Sequence, residues 1–150
     1  MKFKLNYVVI PLITIFVSLF GSYLTSSGMK WYDTINLPSF TPQGGFIGLV
    51  WTIIFILTTI SALIFYNKIK KKKLVVSLFL INAFLNVFWS YLFFYKHLIF
   101  FALIEMIFLE ISVLLLIIFM WKKSRTSSYL LFLYAFWVLF ATYLTIRICY

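Results

Sequence analysis

The chain has 150 residues, 65% of them hydrophobic and 23% aromatic, with only 11% charged and a mean hydropathy of +1.09. So little charge cannot cover the surface of a water-soluble domain of this size, and the chain reads as a membrane protein. The net charge of +10 does not point to nucleic acid, because the basic residues stand only in the joints between apolar runs.

Five runs are long enough to cross about 30 Å of hydrocarbon: residues 7–24, 46–66, 74–95, 98–121 and 129–148. Lipid offers backbone N–H and C=O groups no partner, and these runs lack the alternation of a barrel strand, so each is expected to be a helix. The predicted fold is an all-α membrane protein, one five-transmembrane-helix bundle over residues 1–150, with the segment 25–45 outside the bilayer. Lys2 and Lys4 precede the first run, in which Thr14, Ser18, Ser22 and Ser26 recur every four residues as a stripe suited to close helix packing. Small residues at Ser26, Ser27 and Gly28 could also end a cleaved leader, but the run is long for one.

Residues 31–51, WYDTINLPSFTPQGGFIGLVW, combine Trp and Tyr with two prolines and three glycines and carry little charge, the composition of a loop that folds onto something. Further along, Lys68, Lys70, Lys71, Lys72 and Lys73 follow the second run, and Lys122, Lys123 and Arg125 follow the fourth. With Lys2 and Lys4 these make ten of the thirteen basic residues on one side of a five-span topology, leaving Lys30, Lys96 and Arg147 on the other. The bias places the N-terminus in the cytoplasm and the C-terminus outside. Tyr7, Tyr66, Trp121 and Tyr129 then fall at the inner interface and Tyr23, Tyr95 and Tyr150 at the outer one, as aromatic belts do. One Cys, Cys149, and one His, His97, cannot assemble a metal site, and no metal is expected.

The unusual residues of the runs gather toward the outer ends. Trp51, Asn86, Trp89, Glu105 and Trp137 all lie within about 8–17 Å of the outer end of their helix. Asn82, Asn86, Trp89 and Ser90 share a face of the third helix, and Tyr134, Trp137, Ala141 and Thr145 a face of the fifth. Gly48, Trp51, Phe55, Thr58 and Ala62 form a stripe on the second, and Phe101, Glu105, Phe108 and Ser112 one on the fourth. These stripes predict one cavity in the outer half, roofed by the loop. Glu105 and Glu110 are acidic groups within a span with no cation at their depth, so a protonated carboxyl donating to a neighbouring helix, or a proton-coupled exporter, are the uses open to them.

These residues resemble the TspO family, the tryptophan-rich sensory proteins of bacteria and the translocator protein, or peripheral-type benzodiazepine receptor, of mitochondria. The resemblance rests on WY at Trp31 and Tyr32, LPSFTP over residues 37–42, VW at Val50 and Trp51, N-x-x-W-S from Asn86 to Ser90, Glu105, and Y-x-x-W-x-x-F-A-T from Tyr134 to Thr142. They run in family order through the whole chain. The resemblance implies a five-helix bundle, often dimeric, in a bacterial cytoplasmic membrane. It implies binding of porphyrins or other tetrapyrroles (protoporphyrin IX or haem), benzodiazepine-site drugs and sterols beneath the first loop, with no obligatory cofactor. Carried onto matching positions, the ligand-binding residues are Trp31, Tyr32, Trp51, Asn86, Trp89, Phe101, Glu105, Trp137, Ala141 and Leu144. The family's sterol pattern falls on Leu139, Tyr143 and Arg147, a permissive pattern in any apolar helix ending in Arg.

Three functional readings follow. The leading one is a binding protein acting as sensor, regulator or carrier. The rival, implied by the resemblance to bacterial relatives associated with light-dependent porphyrin breakdown, is a porphyrin-degrading enzyme with Trp51 and Trp137 as its catalytic residues; the sequence itself holds no nucleophile–base pair, metal triad or phosphate loop. The small exporter using Glu110 is a third.

Overall fold

A computed structural model describes residues 4–150, so Lys2 lies outside the described residues. In chain order the elements are α1 (Asn6–Tyr32), α2 (Gly44–Lys68), α3 (Lys73–Ser90) continuing as a π-helical turn (Tyr91–Tyr95), α4 (Ile99–Trp121), α5 (Arg125–Tyr129) and α6 (Phe132–Cys149). Five segments are long and apolar enough to span a membrane, α3 with its π turn counting as one and Arg125–Cys149 as another. The protein is therefore an all-helical integral membrane protein. α1 packs on α2 and α3, α2 on α5, α5 and α6 on α4, and α4 on α3, which closes a ring. Its core joins Ile54, Phe65, Val75, Val113, Leu116, Met120, Leu131 and Val138 from α2, α3, α4 and the fifth span. One end of the ring carries the loop 33–43, and the other carries the lysine-rich joints.

α1 runs to Tyr32, whereas the apolar run stops at 24, so the connection to α2 is 33–43 rather than 25–45. Hydropathy marks the part of a helix that lipid covers, while helix continuation needs only unbroken backbone bonding. The hydroxyl of Ser27 turns back onto the Leu24 carbonyl at 2.6 Å, and that of Thr34 onto Trp31 at 2.6 Å, so the polar residues satisfy themselves without breaking the ladder. Trp31 and Tyr32 thus stand on the last turn of a helix and not in a loop.

The packing face of α1 differs in part from the sequence expectation. Thr14 of the expected stripe meets Thr59 of α2 and Ser18 is half-buried, but Ser22 and Ser26 are exposed, and the face turned onto α3 and the π turn is Val17, Gly21, Leu24 and Gly28. Gly28 is buried against the backbone of Phe94 in the π turn, where an added Cβ would overlap the carbonyl oxygen and lie 2.7 Å from its carbon. Only glycine lets two backbones approach so closely.

The π turn closes with Lys96 N–H donating to the Tyr91 carbonyl at 2.9 Å and Leu98 N–H to Leu92 at 2.9 Å. This wider winding turns Phe93 and Phe94 inward, where both are buried. His97 ends it in the left-handed region with φ 59°, and its ring stacks on Trp31 at 4.1 Å. A β-branched residue cannot adopt that backbone without strain. His97→Val is expected to be about 1–2 kcal/mol less stable than His97→Gly, the two sharing the loss of the stack. Equal unfolding midpoints in detergent would remove the backbone as the reason for this difference.

The fifth span begins at Arg125 and not at 129, as a short helix followed by a break at Leu130 and Leu131. Four buried serines anchor it. Ser61 Oγ donates to the Ser127 carbonyl at 2.7 Å, Ser124 and Ser127 hydroxyls lie 2.8 Å apart, and Ser128 Oγ donates to the Ile117 carbonyl at 3.0 Å. This knot ties α2, α4 and α5 at the basic end.

Candidate functional site

A buried polar chain crosses the middle of the ring. Asn82 Nδ2 donates to Ser112 Oγ at 2.9 Å, Tyr134 OH donates to Asn82 Oδ1 at 3.1 Å, and Asn86 Nδ2 donates to Tyr134 OH at 3.0 Å. The Ser112 hydroxyl in turn donates to the Leu109 carbonyl at 2.7 Å. Two turns of α3, one of α4 and the start of α6 are thereby held at one register. Asn82 and Tyr134 were not among the site residues carried over from the family, although a mid-span Asn and Tyr are the polar signals that could have singled them out.

α3 and α4 run antiparallel, and the Asn82–Ser112 bond sets their level. Moving seven residues toward the loop end on each helix, about 10 Å, brings Trp89 and Glu105 opposite one another. Trp137 stands one turn beyond Tyr134 on α6. The indole Nε1 of Trp89, the indole Nε1 of Trp137 and both carboxyl oxygens of Glu105 are buried without a hydrogen-bond partner among the described residues. Trp51 meets Tyr134 edge-on at 5.9 Å, and Trp137 lies against Phe46 at 6.3 Å and Phe140 at 5.4 Å.

Nearer the loop, Trp31 and Tyr32 close over the π turn, with ring centroids 5.6 and 6.2 Å from Phe93, and Trp89 stacks on Phe93 at 5.3 Å. The loop itself reaches α6, where Phe40 stacks on Tyr143 at 5.6 Å. Leu144 is buried and Ala141 half-buried on the inner side of α6. Phe101 departs from the carried-over set, for it is 57% exposed and turned away from the bundle interior. Ala102, Glu105, Met106 and Leu109 form the inner face of α4, and at 100° per residue Phe101 and Phe108 fall outside it. Glu110 is buried on the same helix, also without a partner among the described residues.

A cavity of about 400 Å³ lies between α1, α2 and α3, with Asn82, Asn86 and Tyr134 at its inner end and Leu5, Asn6 and Tyr66 at the end nearer the lysine-rich joints. It lies apart from the single outer-half cavity expected from the sequence. Of the ten residues carried over, Asn86 alone lines it. The reason lies in α1. Gly28 on Phe94 and Gly21 beside Ser90 press its second half onto α3 and the π turn, so aromatic rings fill the loop end. In its first half α1 is tied to α2 instead, through Thr59 Oγ1 donating to Thr14 Oγ1 at 2.8 Å and Asn6 Nδ2 donating to Asn67 Oδ1 at 3.2 Å, and the space beside α3 stays open.

Residues 8–150 match the TspO/MBR family. The chain is 37% identical over 139 residues to the tryptophan-rich protein TspO of Bacillus cereus, covering 89% of this chain and 91% of that one. It is 35% identical over 130 residues to the uncharacterized membrane protein YtaB of Bacillus subtilis, covering 85% and 84%. With the tryptophan-rich protein TspO of Archaeoglobus fulgidus it shares 33% identity over 134 residues, covering 85% and 84%.

Proposed function

This chain belongs to the TspO/MBR family, and on that premise we propose that it is a bacterial membrane sensor or carrier that binds a flat tetrapyrrole in the loop-side half of the bundle. The observation that carries the reading is the set of buried, unpaired polar groups on three helices: Trp89 Nε1, Glu105 Oε1 and Oε2, and Trp137 Nε1. A buried polar group without a partner costs about 1–3 kcal/mol, so three such groups together call for an occupant. A tetrapyrrole has what they lack. Its carboxylates accept from indole N–H, its inner N–H groups face a carboxyl oxygen, and its plane stacks on wide aromatic rings such as Trp51 and Trp137.

Reaching that site from the loop end requires parting Phe40 from Tyr143 and Trp31 from His97. Closure of the loop over the ligand is then the conformational event that a sensor would report. Titration with protoporphyrin IX should quench tryptophan fluorescence saturably. The Trp51→Ala, Trp137→Ala double variant should lose the saturable part, while a single Phe101→Ala should keep it. Unchanged saturable binding in the double variant would remove the loop-side half as the site.

A further inference from the structure

We propose that the cavity on the basic side of the bundle is a second binding site, one that takes the chain of a single-chain amphiphile whose anionic head rests on the lysines at its basic end. The shape argues for a chain and not a disc. On the α1 wall the lining runs from Leu5 to Val17, about 18 Å of helix, and the volume of about 400 Å³ lies within the range of ligand pockets. The walls between the two ends are mostly apolar, formed by Val9, Ile13, Phe55, Ala62 and Phe79, with Thr14 and Thr58 as the polar exceptions.

Cations flank the end of the cavity nearer the lysine-rich joints. Lys72 Nζ sits 3.4 Å from the ring centre of Tyr66 and donates to its carbonyl at 2.8 Å, and Tyr66 is itself a wall of the cavity. Lys4 adjoins Leu5 and Lys73 opens α3 one turn before Val76, both neighbours being lining residues. No carboxylate of the chain offsets them. Its three acidic residues are Asp33, next to the last turn of α1 at the opposite end, and Glu105 and Glu110 within α4. A cationic rim over an apolar slot is complementary to a long-chain carboxylate.

The test uses the full chain, delipidated in a nonionic detergent, with oleate and oleyl alcohol as probes that share a chain and differ in the head. Saturable binding of oleate at one per chain is expected, tighter than that of the alcohol. Ala62→Phe, which fills the slot, should weaken both by about tenfold or more, and Ala83→Leu on the opposite wall gives the same reading should the first variant fail to fold. Lys72→Gln with Lys73→Gln lies outside the packed interior and should weaken oleate alone, narrowing its advantage over the alcohol. Oleate binding that never saturates, or is untouched by filling the slot, would reduce the effect to adsorption on surface lysines and overturn the proposal. Protoporphyrin quenching should survive both slot variants; its loss together with oleate would make the two sites one and overturn the claim of a second. Loss of protoporphyrin binding in the Trp51→Ala, Trp137→Ala variant with oleate binding intact would separate the readings from the other side.

Discussion

Gly28→Leu is expected to prevent assembly of the five-helix bundle, and Gly28→Ala to destabilise it by about 1–3 kcal/mol. The atoms that an added Cβ meets at this position belong to the backbone of Phe94, 2.7 and 2.8 Å away at C and Cα. No rotamer change can relieve such an overlap, so either α1 moves outward or the π turn unwinds. Both routes separate Trp31 and Tyr32 from Phe93 and Phe94, the aromatic cluster that seals the loop end. Gly21 provides the control, since its added Cβ would come no nearer than 3.9 Å to Ser90 Oγ. Gly21→Ala should therefore be neutral or slightly stabilising through its better helix propensity. Thermal unfolding in detergent reads the contrast at roughly 2–4 °C per kcal/mol for a chain of this length. Coincident midpoints for the two alanine variants would show that the close approach at Gly28 is not what holds α1 in place.

Tyr134→Phe should cost about 1–3 kcal/mol, through the partners it strands and not through lost packing. The hydroxyl is at once acceptor for Asn86 Nδ2 and donor to Asn82 Oδ1, so removing it orphans a donor on one turn of α3 and an acceptor on the next. Two stranded groups in an apolar setting set the upper figure. The lower one reflects the smaller values measured for polar pairs between helices in lipid, about 0.6 kcal/mol on average, because the separated helices also find partners. The ring stays, and with it the edge-on contact with Trp51. A second substitution distinguishes this account from a packing defect. Asn86→Leu on the Tyr134→Phe background removes one of the stranded groups, so the pair should cost less than the sum of the single variants. Additivity within error would deny that the three side chains act as one network. Tyr143→Phe, at an exposed ring, should shift stability by less than about 0.5 kcal/mol.

Much of this protein was legible from its amino acids. Uninterrupted apolar stretches must become helices in lipid, because backbone groups have no other partner there, and the lysines that interrupt them mark one end of the bundle. The WY, VW, N-x-x-W-S and Y-x-x-W motifs likewise pointed to the family and to the helices that carry its residues. Facial assignment was another matter. An amphipathic helix announces its inner side by where its polar residues fall, but helices apolar all round carry almost no such signal. Hence Phe101 was grouped with Glu105 although it faces outward, and of the Thr14, Ser18, Ser22 and Ser26 stripe Thr14 meets α2 whereas Ser22 and Ser26 stay exposed and the close approach falls to Gly21 and Gly28.

Contacts between distant segments made the remaining decisions. The true end of α1, the serine knot of Ser61, Ser124, Ser127 and Ser128, and the register of α3 against α4 each depend on a partner far away in sequence. The cavity depends on two opposed attachments of a single helix, to the π turn at one end and to α2 at the other. Empty space has no residue of its own, so only the packed chain could place it.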